Sequence, residues 1–151
     1  MAPIADNVML NEQQSIDTLD DLTLQILRKY RKRMDPSGYQ TLPDLWQDFA
    51  PVMNAAVKLP PPQAMQRMLS LTSYFYEFCH GYRADTEKYE YEEYFDAMNK
   101  AWETLFQQQH GMTDRIRALN VLRDGHTLAE EEFELPHAMN GALEAALKTA
   151  Q

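Results

Sequence analysis

Cysteine is nearly absent from the chain: Cys79 is the only one in 151 residues. A disulfide framework within the chain and an all-cysteine metal site are therefore excluded, and the thiol reads as a small buried hydrophobe in a reducing compartment. Glycine is almost as scarce, at five. No Gly-rich phosphate loop, Gly-x-Ser-x-Gly elbow or His-Glu-x-x-His helix can be found, and serine nucleophiles have no supporting context. No apolar run approaches the roughly 20 residues that span a bilayer. Asp6, Glu12, Asp17 and Asp20 stand where a secretory signal needs a basic start and an apolar stretch. A cytoplasmic protein without a membrane partner is expected. Positive charge is also short, with 14 Lys and Arg against 23 Asp and Glu and a net charge of -9. A nucleic-acid binder draws most of its affinity from a basic face, so no direct nucleic-acid contact is expected.

What is present is an ordinary globular composition, 44% hydrophobic and 11% aromatic. At this length a single domain buries roughly two-thirds of its unfolded surface. Apolar residues recur at helical spacing and no alternating β-rich pair occurs, so the fold class is all-α: a single-domain bundle of five to seven helices around a central pair. Residues 1–14 show no periodicity and read as a disordered tail; residues 15–148 form the domain.

Helix one is predicted from about Ser15–Thr18, with Leu19, Leu22, Ile26, Leu27, Tyr30 and Met34 inward and a basic last turn, and the Asp35-Pro-Ser-Gly38 cluster stops it. Thr41 or Leu42 caps the next segment, whose inward set is Leu42, Leu45, Trp46, Phe49 and Met53. Pro51 is expected to split it after Phe49. The prolines at 60–62 form a stiff connector into helix three, Pro62–His80, whose wide stripe runs through Met65, Met68, Leu69, Thr72, Phe75, Tyr76 and Cys79. Asp85 is expected to cap helix four, which runs to Gln109 with Tyr91, Tyr94, Phe95, Met98, Trp102, Leu105 and Phe106 inward and is ended by Gly111. Thr113 or Asp114 starts a fifth helix, with Ile116, Leu119 and Leu122 inward and Asp124-Gly125 as its stop. The stretch 127–134 is ambiguous. A last helix from about Pro136 buries Met139, Leu143, Ala146 and Leu147, and its final residues fray.

Four patterns carry chemistry. Glu77 and His80 lie three apart on one helix, as do Glu134 and His137 in sequence, and paired Glu-x-x-His motifs are one element of carboxylate-bridged metal sites in bundles. Pro136 places Glu134 ahead of its helix, however, and Glu77 and His80 also suit the exposed end of helix three, so no metal or cofactor is assigned. Cys79 and His80 project about 100° apart and cannot act as nucleophile and base. His110 and His126 stand beside glycines and read as solvent-exposed linkage. Arg28, Lys29, Arg31, Lys32 and Arg33 form the one concentrated basic patch, which complements the helix dipole or offers a local contact for an acidic partner.

The fourth pattern is the outer face of helix four. Glu92, Glu93, Asp96 and Glu103 project there with Tyr89 and a single base, Lys100. Between Tyr74 and Phe106 stand 11 of the chain's 16 aromatic residues, and Tyr74 and Tyr89 alone fall on polar sides of their helices. Tyrosine is a favoured interface anchor because it buries area and keeps a hydrogen-bonding tip.

The expectation is a non-enzymatic interaction module, a small acidic inhibitor, adaptor or chaperone that docks this tyrosine-bearing face on a basic surface of another protein. A variant is mimicry of nucleic acid, with the carboxylates standing where phosphates would sit. The alternatives are a metal-dependent helical enzyme using Glu77 and His80, and a structural subunit of a larger assembly. A homo-oligomer is left open.

Overall fold

The computed structural model describes the backbone of residues 4–149 and the side-chain surroundings of residues 11–148. Within these bounds the chain is all-α, with six helices and one short 3-10 turn. The helices are α1 (Ile4–Arg31), α2 (Leu42–Ala56), α3 (Pro61–Gly81), α4 (Lys88–Leu105), α5 (Met112–Phe133) and α6 (Asn140–Thr149); the turn is Arg83–Asp85. The fraying expected of the final residues lies outside the described residues.

The core is continuous from Leu19 to Ala146, and its centre is α3. Met65, Met68, Leu71, Thr72, Phe75, Phe78 and Cys79 are all buried, an arc wide enough to serve α2, α4 and α5 at once. Helix α4 packs on α2, α3 and α6, and α1 packs on α2. Aromatic pairs tie these layers together. Trp46 stacks on Tyr94 at 4.4 Å, Tyr91 on Phe133 at 4.0 Å, and Phe75 meets Phe95 edge-on at 4.9 Å. Among the described residues Thr72 is the one buried polar side chain apart from the aromatic ones. Its hydroxyl donates to the Met68 carbonyl at 2.5 Å and accepts from Trp102 Nε1 at 3.0 Å, so both groups are satisfied.

Several boundaries differ from the sequence expectation, each for a physical reason. Helix α1 starts at Ile4, ahead of the start expected near Ser15–Thr18. Residues 11–15 are all exposed, and among the residues whose side chains are described the first buried one is Ile16, so residues 11–15 offer no inward stripe to read. Pro51 does not split α2. It forfeits one bond to the Gln47 carbonyl, but both residues are exposed and water can serve that carbonyl, while buried Phe49, Val52 and Met53 hold the helix on either side. The expected cap of α2 is present, with Thr41 Oγ1 accepting from the Asp44 amide at 3.3 Å.

The cap of α4 is Glu87, not Asp85, which belongs to the 3-10 turn; the Glu90 carboxylate reaches back to accept from the Glu87 amide at 3.1 Å. Helix α4 ends at Leu105, ahead of Gln109. His110 Nε2 donates to the Leu105 carbonyl at 2.8 Å, which also accepts from the Gln108 amide at 3.1 Å, so the helix end is closed by both. His110 is therefore half-buried and bonded, and the glycine beside it, Gly111, caps the start of α5.

Gly125 does not stop α5. The helix runs through it to Phe133, taking in the ambiguous stretch, because Gly125 is a point of close approach rather than a turn. A methyl there would overlap the Tyr76 hydroxyl, which donates to the Val121 carbonyl at 2.7 Å. The buried stripe of α5 is Ala118, Leu122, Gly125, Ala129 and Phe133. Ile116 falls about 160° from Ala118 and is exposed. His126, on the same unbroken helix, is half-buried, and its Nδ1 donates to the Ala138 carbonyl at 2.9 Å. Helix α6 begins at Asn140 after a turn that starts at Pro136. It buries Ala142 and Ala146 and leaves Leu147 exposed.

Candidate functional site

The face of α4 that the core does not use becomes one wall of a groove. Tyr89, Glu92, Glu93, Asp96 and Asn99 stand on it, and the opposite wall is the connection Glu134–Met139 between α5 and α6. The groove encloses about 570 Å³. Phe95, Leu135 and Met139, all buried, lie at its base. Lys88 and His137 also line it, but carboxylates outnumber them on the rim, and an apolar floor under such a rim is suited to a segment that carries cations and buries some apolar surface.

The connection is held by its backbone. Glu134 and Met139 both adopt positive φ, 59° and 66°, which is uncommon for residues with a side chain and persists when the surroundings fix it. Here the buried Leu135 and Met139 side chains and the His126 bond to the Ala138 carbonyl supply that fixation. The far end of the groove is also braced. Asn99 Oδ1 accepts from the Ala142 amide at 2.8 Å, so a side chain of α4 caps the first turn of α6.

The electrostatic character of the rim follows from what each group already touches. Tyr89 is 66% exposed. The Glu90 carboxylate beside it pushes its phenol above the ordinary value, with smaller contributions from Glu87 and Glu93, so the hydroxyl is a neutral donor. Asp96 pairs with Lys100 at 2.9 Å, an exposed contact one turn along the helix. Glu92 and Glu93 are exposed and, among the described residues, in no ion pair.

The residues singled out in the sequence do not all meet. Tyr89, Glu92, Glu93 and Asp96 share the groove. Glu103 lies a turn beyond it, where its carboxylate accepts from Asn99 Nδ2 and packs against Gly141 at the start of α6. Tyr74 is half-buried in different surroundings, between Leu24 and Leu27 of α1 on one side and Arg117 and Val121 of α5 on the other. The basic run closes α1, and none of its members lines the groove. Within that run Lys29 lies over the Tyr39 ring at 4.4 Å and Arg33 over Tyr30 at 4.3 Å, while Arg28, Arg31 and Lys32 face solvent.

Glu77 and His80 are exposed at the end of α3. Glu134 and His137 are exposed too, Glu134 as the left-handed residue that closes α5. No group of three or more His, Cys, Asp or Glu side chains converges among the described residues, so neither pair has a further ligand at hand. Cys79 is fully buried, and desolvation pushes its thiol well above the usual value.

The second wall was not legible beforehand. Glu134 and His137 carry weight in the sequence only as a metal pair, and the signal for the wall was Leu135, an apolar residue just ahead of Pro136 that belongs to no helical period. A larger depression, about 1140 Å³, runs between α1 and α2, but amides dominate its polar lining. Its one carboxylate, Asp48, already accepts from the Tyr39 hydroxyl at 2.7 Å. Among the described residues no helix is long and apolar enough to cross a membrane. No family model, curated protein or solved structure matches the chain.

Proposed function

We propose that the protein is a non-enzymatic interaction module, and that its acidic groove receives a basic segment of another protein. The observation that carries this reading is Tyr89, largely exposed among Glu92 and Glu93 at the mouth of a groove with an apolar floor. Within the chain Tyr89 makes only a long bond from its hydroxyl to the Glu90 carboxylate, at 3.4 Å, whereas against a Lys- or Arg-bearing segment its ring supplies cation–π contact and buried area. The carboxylates steer the encounter and make it sensitive to salt. The partner is a protein whose docking segment is basic with at least one apolar side chain.

The test is a pull-down from native lysate with the wild type, the Glu92→Lys/Glu93→Lys/Asp96→Lys variant and Tyr89→Ala, at low and moderate salt. One stoichiometric protein partner retained by the wild type at low salt, and lost with either variant, is the expected result. Competition by duplex DNA for that partner would identify the acidic rim as a stand-in for nucleic acid. Equal capture by all three proteins would remove the groove from consideration.

A further inference from the structure

The outer face of α1 carries a charge pattern that the chain does not use. Asp17, Asp21, Leu24, Arg28 and Arg31 are spaced four, three, four and three residues apart, so at 100° per residue they share an arc of about 80°. All five are exposed, Leu24 at 48%, and the arc lies opposite buried Leu19, Ile26 and Tyr30, with buried Leu27 at its edge, where Leu24 and Leu27 line a groove with Tyr74. The acidic pair stands at one end of this stripe and the basic pair at the other.

The helix dipole accounts for only half of the pattern. Arg28 and Arg31 occupy the last turn, where cations are favoured. The acidic pair has no such explanation, because α1 begins at Ile4 and Asp17 sits about 20 Å in from that start. Dipole effects fade within the first turn. Neighbouring charges that point inward are already engaged: Asp20 with Arg67 at 3.0 Å, Lys29 over Tyr39 and Arg33 over Tyr30. Asp17, Asp21, Arg28 and Arg31 enter no ion pair among the described residues. Asp17 accepts one bond from Gln13 at 2.9 Å, also on the exposed face.

We propose that this stripe is a self-association surface on which two copies of the chain pair α1 with α1 in antiparallel fashion. A two-fold axis through Leu24 sets that residue against its own copy, places Asp17 opposite Arg31 of the second copy, and brings Asp21 beside the second copy's Arg28. The same patch serves both copies, so the interface is isologous and closes as a dimer. Parallel pairing would oppose like charges and is disfavoured. Because the pairs are exposed, the association is weak and salt-sensitive. It uses no residue of the acidic groove and stands independently of the function proposed above.

Sedimentation velocity of the full chain across a range of concentrations at low salt tests it. The wild type should form a dimer that dissociates near 1 M salt, where the Debye length is about 3 Å. Asp17→Arg/Asp21→Arg makes the stripe wholly basic, and Arg28→Glu/Arg31→Glu makes it wholly acidic. Each variant alone should dimerise about 100-fold or more weakly, because like charges now oppose, while an equimolar mixture of the two should restore the dimer. Circular dichroism establishes that each variant keeps its helix content. A monomeric wild type at low salt, a dimer that survives either reversal, or a mixture that fails to pair would each overturn the proposal. The wild-type result decides even if a variant does not fold.

Discussion

Tyr76 and Gly125 share one space between α3 and α5: the tyrosine hydroxyl reaches the Val121 carbonyl through the gap left by the missing side chain. In an exposed helix, Gly→Ala gains about 1 kcal/mol from propensity. Here overpacking should cost about 1–3 kcal/mol and outweigh that gain, since the Tyr76 ring is held by Phe75 and the core and cannot step aside freely. Gly125→Ala should therefore lower stability by up to about 2 kcal/mol in urea denaturation. A variant as stable as the wild type would mean that the two helices do not approach this closely.

Asn99 gives a second, more local outcome. Its side chain supplies the acceptor for the Ala142 amide, so Asn99→Ala should cost about 1 kcal/mol, the usual worth of a helix cap. Hydrogen exchange should quicken in the first turn of α6 while the amides of α3 stay protected. Exchange unchanged in α6 would show that the cap is not made in solution.

Alkaline pH should reveal the buried phenols. Burial pushes Tyr82 and Tyr94 up to about 12 from an ordinary value of 10.0, and Tyr39 and Tyr76 are raised as well, also chiefly by burial. A folded value above the unfolded one means that the fold favours the neutral phenol. That stabilisation is whole below about pH 10 and is lost as pH rises to about 12. Tyrosinate absorbance should accordingly rise steeply only above about pH 10, in a step that coincides with loss of helical ellipticity. A smooth rise centred near pH 10 with the helices intact would contradict the burial of these rings.

Much of this architecture could be read from apolar spacing, because every inward position named for α4 is buried and Tyr89, Glu92, Glu93, Asp96 and Glu103 are all exposed. Periodicity reports which face of a helix meets the core, and α4 meets it along its whole length. The misreadings share a cause: local residue types were given meanings that tertiary contacts override. Gly125 was weighed as a stop, Pro51 as a break and His126 as a linker, and each sits in an unbroken helix because of what lies across from it. The groove was half legible for the same reason. Its α4 wall follows from a helical projection, but the 134–139 wall depends on two left-handed residues and on Leu135 being drawn inward, which no period encodes.

The bond between Trp102 and Thr72 fixes more than two polar atoms. The surroundings of both residues are otherwise apolar, and apolar surfaces tolerate sliding, since one methyl packs nearly as well as the next. A shift of α4 by one turn along α3 would carry the indole N–H away from its acceptor and leave it buried with nothing to bond, at a cost of about 1–3 kcal/mol. Thr72 therefore marks the register of the two central helices, and it distinguishes one arrangement of this core from near-equivalents that burial alone would leave almost degenerate.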